Sequence, residues 1–366
     1  MDNMLKYNEF LQRFNLSEDY FEDNNFTIKM EYDYTQKLQW KIVIIFVYVL
    51  IMLIGIFGNI TIALIIMTNK QFHSVTNIFI ANLAISDIGM CIFNLPFQLH
   101  YQLSDNWVFG NIMCTVFNSS FAIPIYDSTM CILMIAIDRY ILIVYPFRKR
   151  MSNKMALRLT LLIALLAIGP AIPMVIYSKL VVLNIPAIQL DKILCGEEWP
   201  SEVIRRVYTV SVFLLQFCIP IIATSILYSR IYTVLKNRPV KKTEHRRSQR
   251  TNRILVSIVT LFTICWLPWN IFSLFVEFDP DLVKGKFFKV TDLFLKSFAM
   301  SSSCINPFLY GWLNDNFKKE ICLLFDNSKK KWNRRTGHAL LEPKRNNTET
   351  QQNTIVMNTM SHGINV

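Results

Sequence analysis

The residues in this chain with chemistry to offer sit where ionisable and strongly polar side chains are expensive. Asp138-Arg139-Tyr140 closes one long apolar stretch, Asp87 lies inside another, and Lys296, Asn306-Pro307 and Tyr310 share a third. A charge at bilayer depth costs about 2.5–3.5 kcal/mol even on a lenient insertion scale, so such groups face a bundle interior and serve function. The chemistry they could do is charge rearrangement rather than bond making. No HExxH pair, no GxSxG and no pair of intramembrane aspartates is read here.

The elements that must hold these groups are legible in hydropathy. Of 366 residues, 52% are hydrophobic and 17% charged, against about 25% charged in soluble proteins. Gly is scarce at 10, while Phe reaches 27 and Met 15. Apolar segments fall at about 40–67, 77–101, 112–144, 157–177, 207–234, 254–276 and 290–313. Each meets the length of about 20 residues that a spanning helix needs. The alternating segments of a β-barrel are missing, as are the inverted repeats and paired broken helices of a transporter. The expected fold is an all-α membrane protein, a bundle of seven transmembrane helices.

Charge distribution orients that bundle. Lys236, Arg238, Lys241, Lys242, Arg246, Arg247 and Arg250 crowd the connection between the fifth and sixth segments, opposed by Glu244. Lys318, Lys319, Lys329, Lys330, Lys331, Arg334 and Arg335 follow the seventh, whereas acids outnumber bases ahead of the first. Positive-inside logic then places the N-terminus outside and the C-terminus in the cytosol of a plasma-membrane protein. The net charge of +12 is explained by topology and anionic lipid, so nucleic acid is not an expected partner. No apolar signal core precedes the first segment, which is expected to act as its own insertion signal.

The chain therefore divides into an extracellular acidic tail (1–38), a transmembrane domain (39–313), a short amphipathic helix on the membrane surface (314–326) and a disordered cytosolic tail (327–366). Asn15 and Asn25 head acceptor sequons in the first tail. Cys322, beside the surface helix, is either a palmitoylation site or a free thiol.

Motifs in six segments carry a specific resemblance. Gly58-Asn59 marks the first, Asn82-Leu83-Ala84-Ile85-Ser86-Asp87 the second and Asp138-Arg139-Tyr140 the third. Pro220 with Tyr228 marks the fifth, Phe262 and Cys265-Trp266-Leu267-Pro268 the sixth, and Asn306-Pro307-Phe308-Leu309-Tyr310 the seventh. In this order and spacing they resemble the rhodopsin-like (class A) G-protein-coupled receptors over roughly residues 40–325. The fourth segment departs, with Ala164 where the family places tryptophan, and Thr129 replaces an aliphatic residue between Pro220 and Phe262.

The resemblance implies roles. Arg139 cannot lose its proton, and Asp138 is its implied resting partner. On activation Arg139 swings toward Tyr228 and Tyr310 while the sixth segment moves outward. Phe147 inserts into the G protein, and receptor kinases and arrestin act on the C-terminal tail. Ser248 stands where many relatives place a locking acid, so raised basal activity is expected. Pro220, Pro268 and Pro307 each free a carbonyl, giving either a fixed kink or a moving hinge. Asp87, with Ser128, Ser302, Ser303, Asn306 and Asn59, implies an allosteric sodium site, the alternative being a protonated aspartic acid. Of eight cysteines, Cys114 and Cys195 are expected to form a disulfide.

Phe121 occupies the position of the aspartate of amine receptors, and Met300 that of the opsin lysine. Lys296, one turn from Met300, either meets a ligand carbonyl or carboxylate or snorkels. Cys195-Gly196-Glu197-Glu198-Trp199-Pro200 and Trp107-Val108-Phe109-Gly110 resemble the neuropeptide Y and neuropeptide F receptor group. That group's peptides end in arginine and an amidated aromatic. Glu277 then matches the acid that meets the arginine, above an aromatic cavity of Phe121, Trp266 and Phe272. Phe121 replaces a glutamine typical of the group, and tachykinin-like and RFamide-like receptors share much of the pattern. Asp105, Asp191, Glu197, Glu198, Glu202, Glu277, Asp279 and Asp281 form an acidic mouth expected to steer a cationic ligand.

Overall fold

The computed structural model of the chain describes residues 37–185, 190–237, 242–279, 282, 287–313 and 316–324, with the backbone alone at 183–185, 190, 242–248, 251 and 310–313. Helix α1 spans Leu38–Thr68, α2 Val75–Ser104, α3 Gly110–Val144 and α4 Asn153–Tyr177. An antiparallel hairpin follows, β1 (Ser178–Ile185) with β2 (Leu190–Glu197). Next come α5, Glu202–Asn237, and α6, Lys242–Phe278. Helix α7 comprises Phe288–Met300 and Ser302–Leu313 on either side of a turn at Ser301. Residues 316–324 are also helical, and the Phe317 ring packs edge-on against Phe72 at 4.7 Å.

Six of these helices are long and apolar enough to cross a bilayer. Helix α7 is divided by the Ser301 turn into pieces of 13 and 12 residues and carries Lys289, Asp292, Lys296 and Asn306. Helix α1 shows how an interior face and a lipid-type face divide one helix. In α1, Tyr48, Ile51, Gly55, Asn59, Ile62 and Ile66 are buried. Phe46, Leu50, Leu53, Phe57 and Leu64 are exposed. A soluble helix would not leave that much aromatic and aliphatic surface uncovered.

Helix starts follow local chemistry. Ser74, Ser152 and Ser201 accept from the backbone amides of Asn77, Met155 and Ile204, each satisfying one orphan donor of a first turn. Prolines are absorbed by loosened turns. A π-helical stretch at Met90–Asn94 precedes Pro96, and another at Phe213–Cys218 precedes Pro220. The wider turn accommodates a residue that cannot donate and whose ring crowds the carbonyl four residues back.

Two connections carry structure of their own within the helical bundle. From Ser178, eight residues on each side of a hairpin pair as strands, with Leu180 opposite Cys195. In the basic stretch between the fifth and sixth segments, α6 already begins at Lys242. Lys, Arg and Gln are good helix formers, and the helix continues beyond the apolar part of its sequence. The side chain at Ser248, Asp281, the N-terminal tail with Asn15 and Asn25, and the C-terminal tail lie outside the described residues.

Candidate functional site

The bundle interior is organised around Pro307. Having no N–H, it leaves the Ser303 carbonyl without its helical partner, and the Asn59 amide donates to that oxygen at 2.8 Å and to Gly55 O at 2.8 Å. Helix α1 comes this close to α7 because Gly58 has no side chain: a Cβ there would lie 2.8 Å from the Pro307 ring. One residue back, Asn306 Nδ2 donates to Asp87 Oδ2 at 2.9 Å. Trp266 Nε1 donates to Ser302 Oγ at 2.9 Å, and Asp87, Ser128, Ser303 and Asn306 are all buried. No Lys or Arg among the described residues pairs with Asp87, so its charge is left to a proton or a cation. Asp87, Ser128 and Asn306 supply oxygens of the kind a hard cation takes. Asn59 donates through Nδ2 alone and the Ser302 hydroxyl accepts the indole, so each keeps oxygen capacity beside that set.

At the opposite end from the hairpin, Arg139 and Asp138 share a third residue. Arg139 Nη2 donates to the Thr76 hydroxyl, which donates in turn to Asp138 Oδ2 at 2.9 Å. Arg139 Nε lies 4.0 Å from the same carboxylate. Tyr228 is buried in α5, Tyr140 meets Tyr145 edge-on at 5.8 Å, and Phe147 is fully exposed in the turn after α3. Phe262 lies 6.0 Å from Trp266, about one turn before it on α6, which carries Pro268 two residues further on. Tyr310 lies on α7, but its side chain is outside the described residues.

At the hairpin end, a disulfide joins Cys114 of α3 to Cys195 of β2. Trp107, Cys114 and Cys195 form a buried cluster. The Trp107 backbone donates to Ile193 O at 2.7 Å and its indole to Gly110 O at 2.8 Å. That second bond gives the Trp107-to-Gly110 motif its meaning, because Gly110 turns into α3 at φ 76°. Phe121 faces Trp269 at 4.9 Å and Trp266 at 6.0 Å, whereas Phe272 stacks on Phe288 at 5.6 Å.

The acids expected to form an open negative mouth are largely partnered. Glu277 takes Arg205 Nε at 2.9 Å, Asp105 takes Lys289, Glu198 takes Lys179 at 2.6 Å and Glu202 takes Arg206 at 3.1 Å. Glu197 accepts the Trp199 indole at 2.7 Å. Each cation lies within salt-bridge reach and offsets the field that unpaired acids would project. Lys296 does not stand alone: it donates to Asp292 at 2.6 Å.

A model of the family described as 7 transmembrane receptor (rhodopsin family) matches residues 58–310. The chain belongs to the rhodopsin family of seven-transmembrane receptors. Within that family it is similar to neuropeptide Y receptor type 6 of Mus musculus, 33% identical over 77% of this chain and 80% of that one. It is 35% identical to neuropeptide F receptor of Drosophila melanogaster over 77% of this chain and 62% of that one. For neuropeptide Y receptor type 1 of Xenopus laevis the figures are 32%, 82% and 86%. The protein is therefore a multi-pass plasma-membrane receptor, not an enzyme.

Four residues of this receptor escaped sequence reasoning. Asp127 is buried in α3 and accepts from Asn82 Nδ2 through both oxygens, at 2.9 and 2.7 Å, with Ser86 as a further hydrogen-bond partner. It is a second intramembrane aspartate where none was read, and the rule that flagged Asp87 applied to it equally. Asp292 precedes Lys296 by four residues, the spacing of an intrahelical ion pair. Thr76 and Arg205 had no local signal, because each acts across two helices.

Proposed function

We propose that this receptor converts binding of an extracellular peptide, ending in arginine and an amidated aromatic, into nucleotide exchange on a heterotrimeric G protein. The observation that carries this reading is Glu277, a carboxylate only 12% exposed at the hairpin end of α6, on the helix that also carries Trp266 and Trp269, the two rings that face Phe121. The names of the similar receptors support it, since they are neuropeptide Y and neuropeptide F receptors. An arginine side chain offers such a carboxylate a charge-assisted, two-pronged hydrogen bond.

In this reading the hairpin end and N-terminus face outward, while the Arg139 end and C-terminus face the cytosol. Glu197, Glu198, Phe272 and Lys296 add ligand contacts around Glu277 and Phe121. Binding shifts Trp266 from Ser302 and lets α6 bend at Pro268 while Phe262 follows. Arg139 then leaves Thr76 and Asp138 and turns toward Tyr228 and Tyr310, and Phe147 meets the G protein beside it. Asp87, Ser128 and Asn306 hold a sodium ion in the resting state. Asn15 and Asn25 are glycosylated outside, Cys322 is palmitoylated, and the 316–324 helix lies on lipid. Receptor kinases and arrestin read the C-terminal tail.

The test is purified receptor with a heterotrimer, scored for exchange of GDP against GTP over a panel of amidated neuropeptides. At least one member of the panel is expected to accelerate exchange. Glu277→Gln is expected to right-shift its dose response by about tenfold or more. Full potency in Glu277→Gln defeats the assignment.

A further inference from the structure

The carboxylate to which the peptide's arginine is assigned already holds a guanidinium. Arg205, one turn into α5, donates through Nε to Glu277 Oε1 at 2.9 Å across 72 residues of sequence. Its side chain is 34% exposed, Glu277 only 12%. The two arginines of this turn are not equivalent. Arg206 reaches back to Glu202 at 3.1 Å and lies 6.0 Å from the Phe278 ring centroid, so its charge is engaged elsewhere. Asp105, Glu198 and Glu202 likewise have their own cations, Lys289, Lys179 and Arg206. Glu277 is thus the acid of this rim that is mostly buried and paired across two helices to a half-exposed guanidinium.

We infer that Arg205 is an internal surrogate for the ligand's arginine, a specificity-determining residue that an incoming guanidinium must displace from Glu277. This rests on the assignment of Glu277 proposed above. The physical consequence is an exchange rather than an addition. A ligand arginine at a free buried acid gains the whole of a charge-assisted pair, whereas here it gains only the difference between two similar pairs. The displaced Arg205 stays near the rim, where its charge disfavours a second cation unless the ligand brings an acceptor for it. The arrangement therefore selects against peptides that offer a lone arginine. It favours those that also present a carboxylate or carbonyl to Arg205.

The experiment uses the full-length receptor in cell membranes and a synthetic peptide ending in arginine and amidated phenylalanine, with an analogue carrying neutral citrulline for that arginine. Dose responses in nucleotide exchange are read together with the peptide-induced rise in the melting temperature of detergent-solubilised receptor, which needs no G protein. Arg205→Gln is expected to raise the potency of the arginine peptide by about three- to tenfold and to enlarge its thermal shift. The citrulline analogue should change less than twofold. Arg205→Lys keeps a cation near Glu277 and should stay close to the native response. Arg206→Gln serves as the control and should not gain potency.

Arg205→Gln with unchanged or lowered potency at native surface expression overturns the surrogate role and leaves the peptide reading intact. If the arginine peptide produces neither exchange nor a thermal shift in the native receptor and in Arg205→Gln alike, the assignment of Glu277 falls and the surrogate role with it.

Discussion

The Asn59 amide donates to the Ser303 carbonyl at 2.8 Å, across 244 residues, at the oxygen that Pro307 four residues later cannot serve. The bond couples α1 to the flexible part of α7. Asn59→Ala leaves a buried carbonyl unpartnered and is expected to cost about 1–3 kcal/mol, seen as a lower melting temperature of the solubilised receptor. Pro307→Ala restores the missing N–H, so Asn59→Ala should cost clearly less on that background. Equal losses on both backgrounds contradict the account.

Gly58 lets the same two helices touch. A Cβ would meet the Pro307 ring at 2.8 Å, whereas one at Gly89 meets nothing within 4 Å. Gly58→Ala should destabilise by about 1–3 kcal/mol through overpacking. Gly89→Ala should be neutral or slightly stabilising, because alanine favours helix. Thermal melts of the two variants side by side make the comparison.

Asp127 and Asn82 form a buried pair of acceptor and donor. Asn82→Ala removes the main donor and leaves the carboxylate with Ser86, at a cost of roughly 3 kcal/mol. Asp127→Asn keeps the shape without a charge and should cost less than half of that. A double-mutant cycle on melting temperature is expected to show coupling, and strict additivity would sink the pairing.

Thr76 bridges Arg139 and Asp138. If that triad holds the resting state, Thr76→Val should raise ligand-free nucleotide exchange on the order of tenfold, the scale of one hydrogen bond to a charged group. Thr76→Ser keeps the hydroxyl and should remain at the native level. Membranes from cells expressing each variant, assayed for basal uptake of a non-hydrolysable GTP analogue, decide it.

Cys114 and Cys195 close a separation of 81 residues and hold the hairpin against Trp107. Reduction or Cys195→Ser should cost about 2–4 kcal/mol and weaken peptide binding. Substitution of Cys91, buried and unbridged, should leave binding sensitive to reductant. A radioligand competition with and without dithiothreitol measures both.

Much of the fold was legible because hydropathy and motif spacing are local. A window of about 20 residues suffices to recognise each span, and Asp138-Arg139-Tyr140 or Asn306-Pro307 announces itself by type and place. Asp127 and Asp292 were equally legible, one as an intramembrane charge and the other as the partner four residues before Lys296. The hairpin was not, since β2 is held in place from elsewhere, by the Cys195 disulfide to α3 and by Asn106, whose Oδ1 accepts from Ile193 N at 2.9 Å.

By itself the sequence determined the number of spans and where polar residues fall within them. Tertiary structure alone decided which charge answers which: Arg205 for Glu277 across 72 residues, Lys289 for Asp105 across 184, Thr76 between Asp138 and Arg139. Those pairings depend on the rotation, tilt and kink of whole helices. Helix orientation is the sum of many packing contacts of similar size, such as Gly58 against Pro307, and no window of local sequence contains that sum.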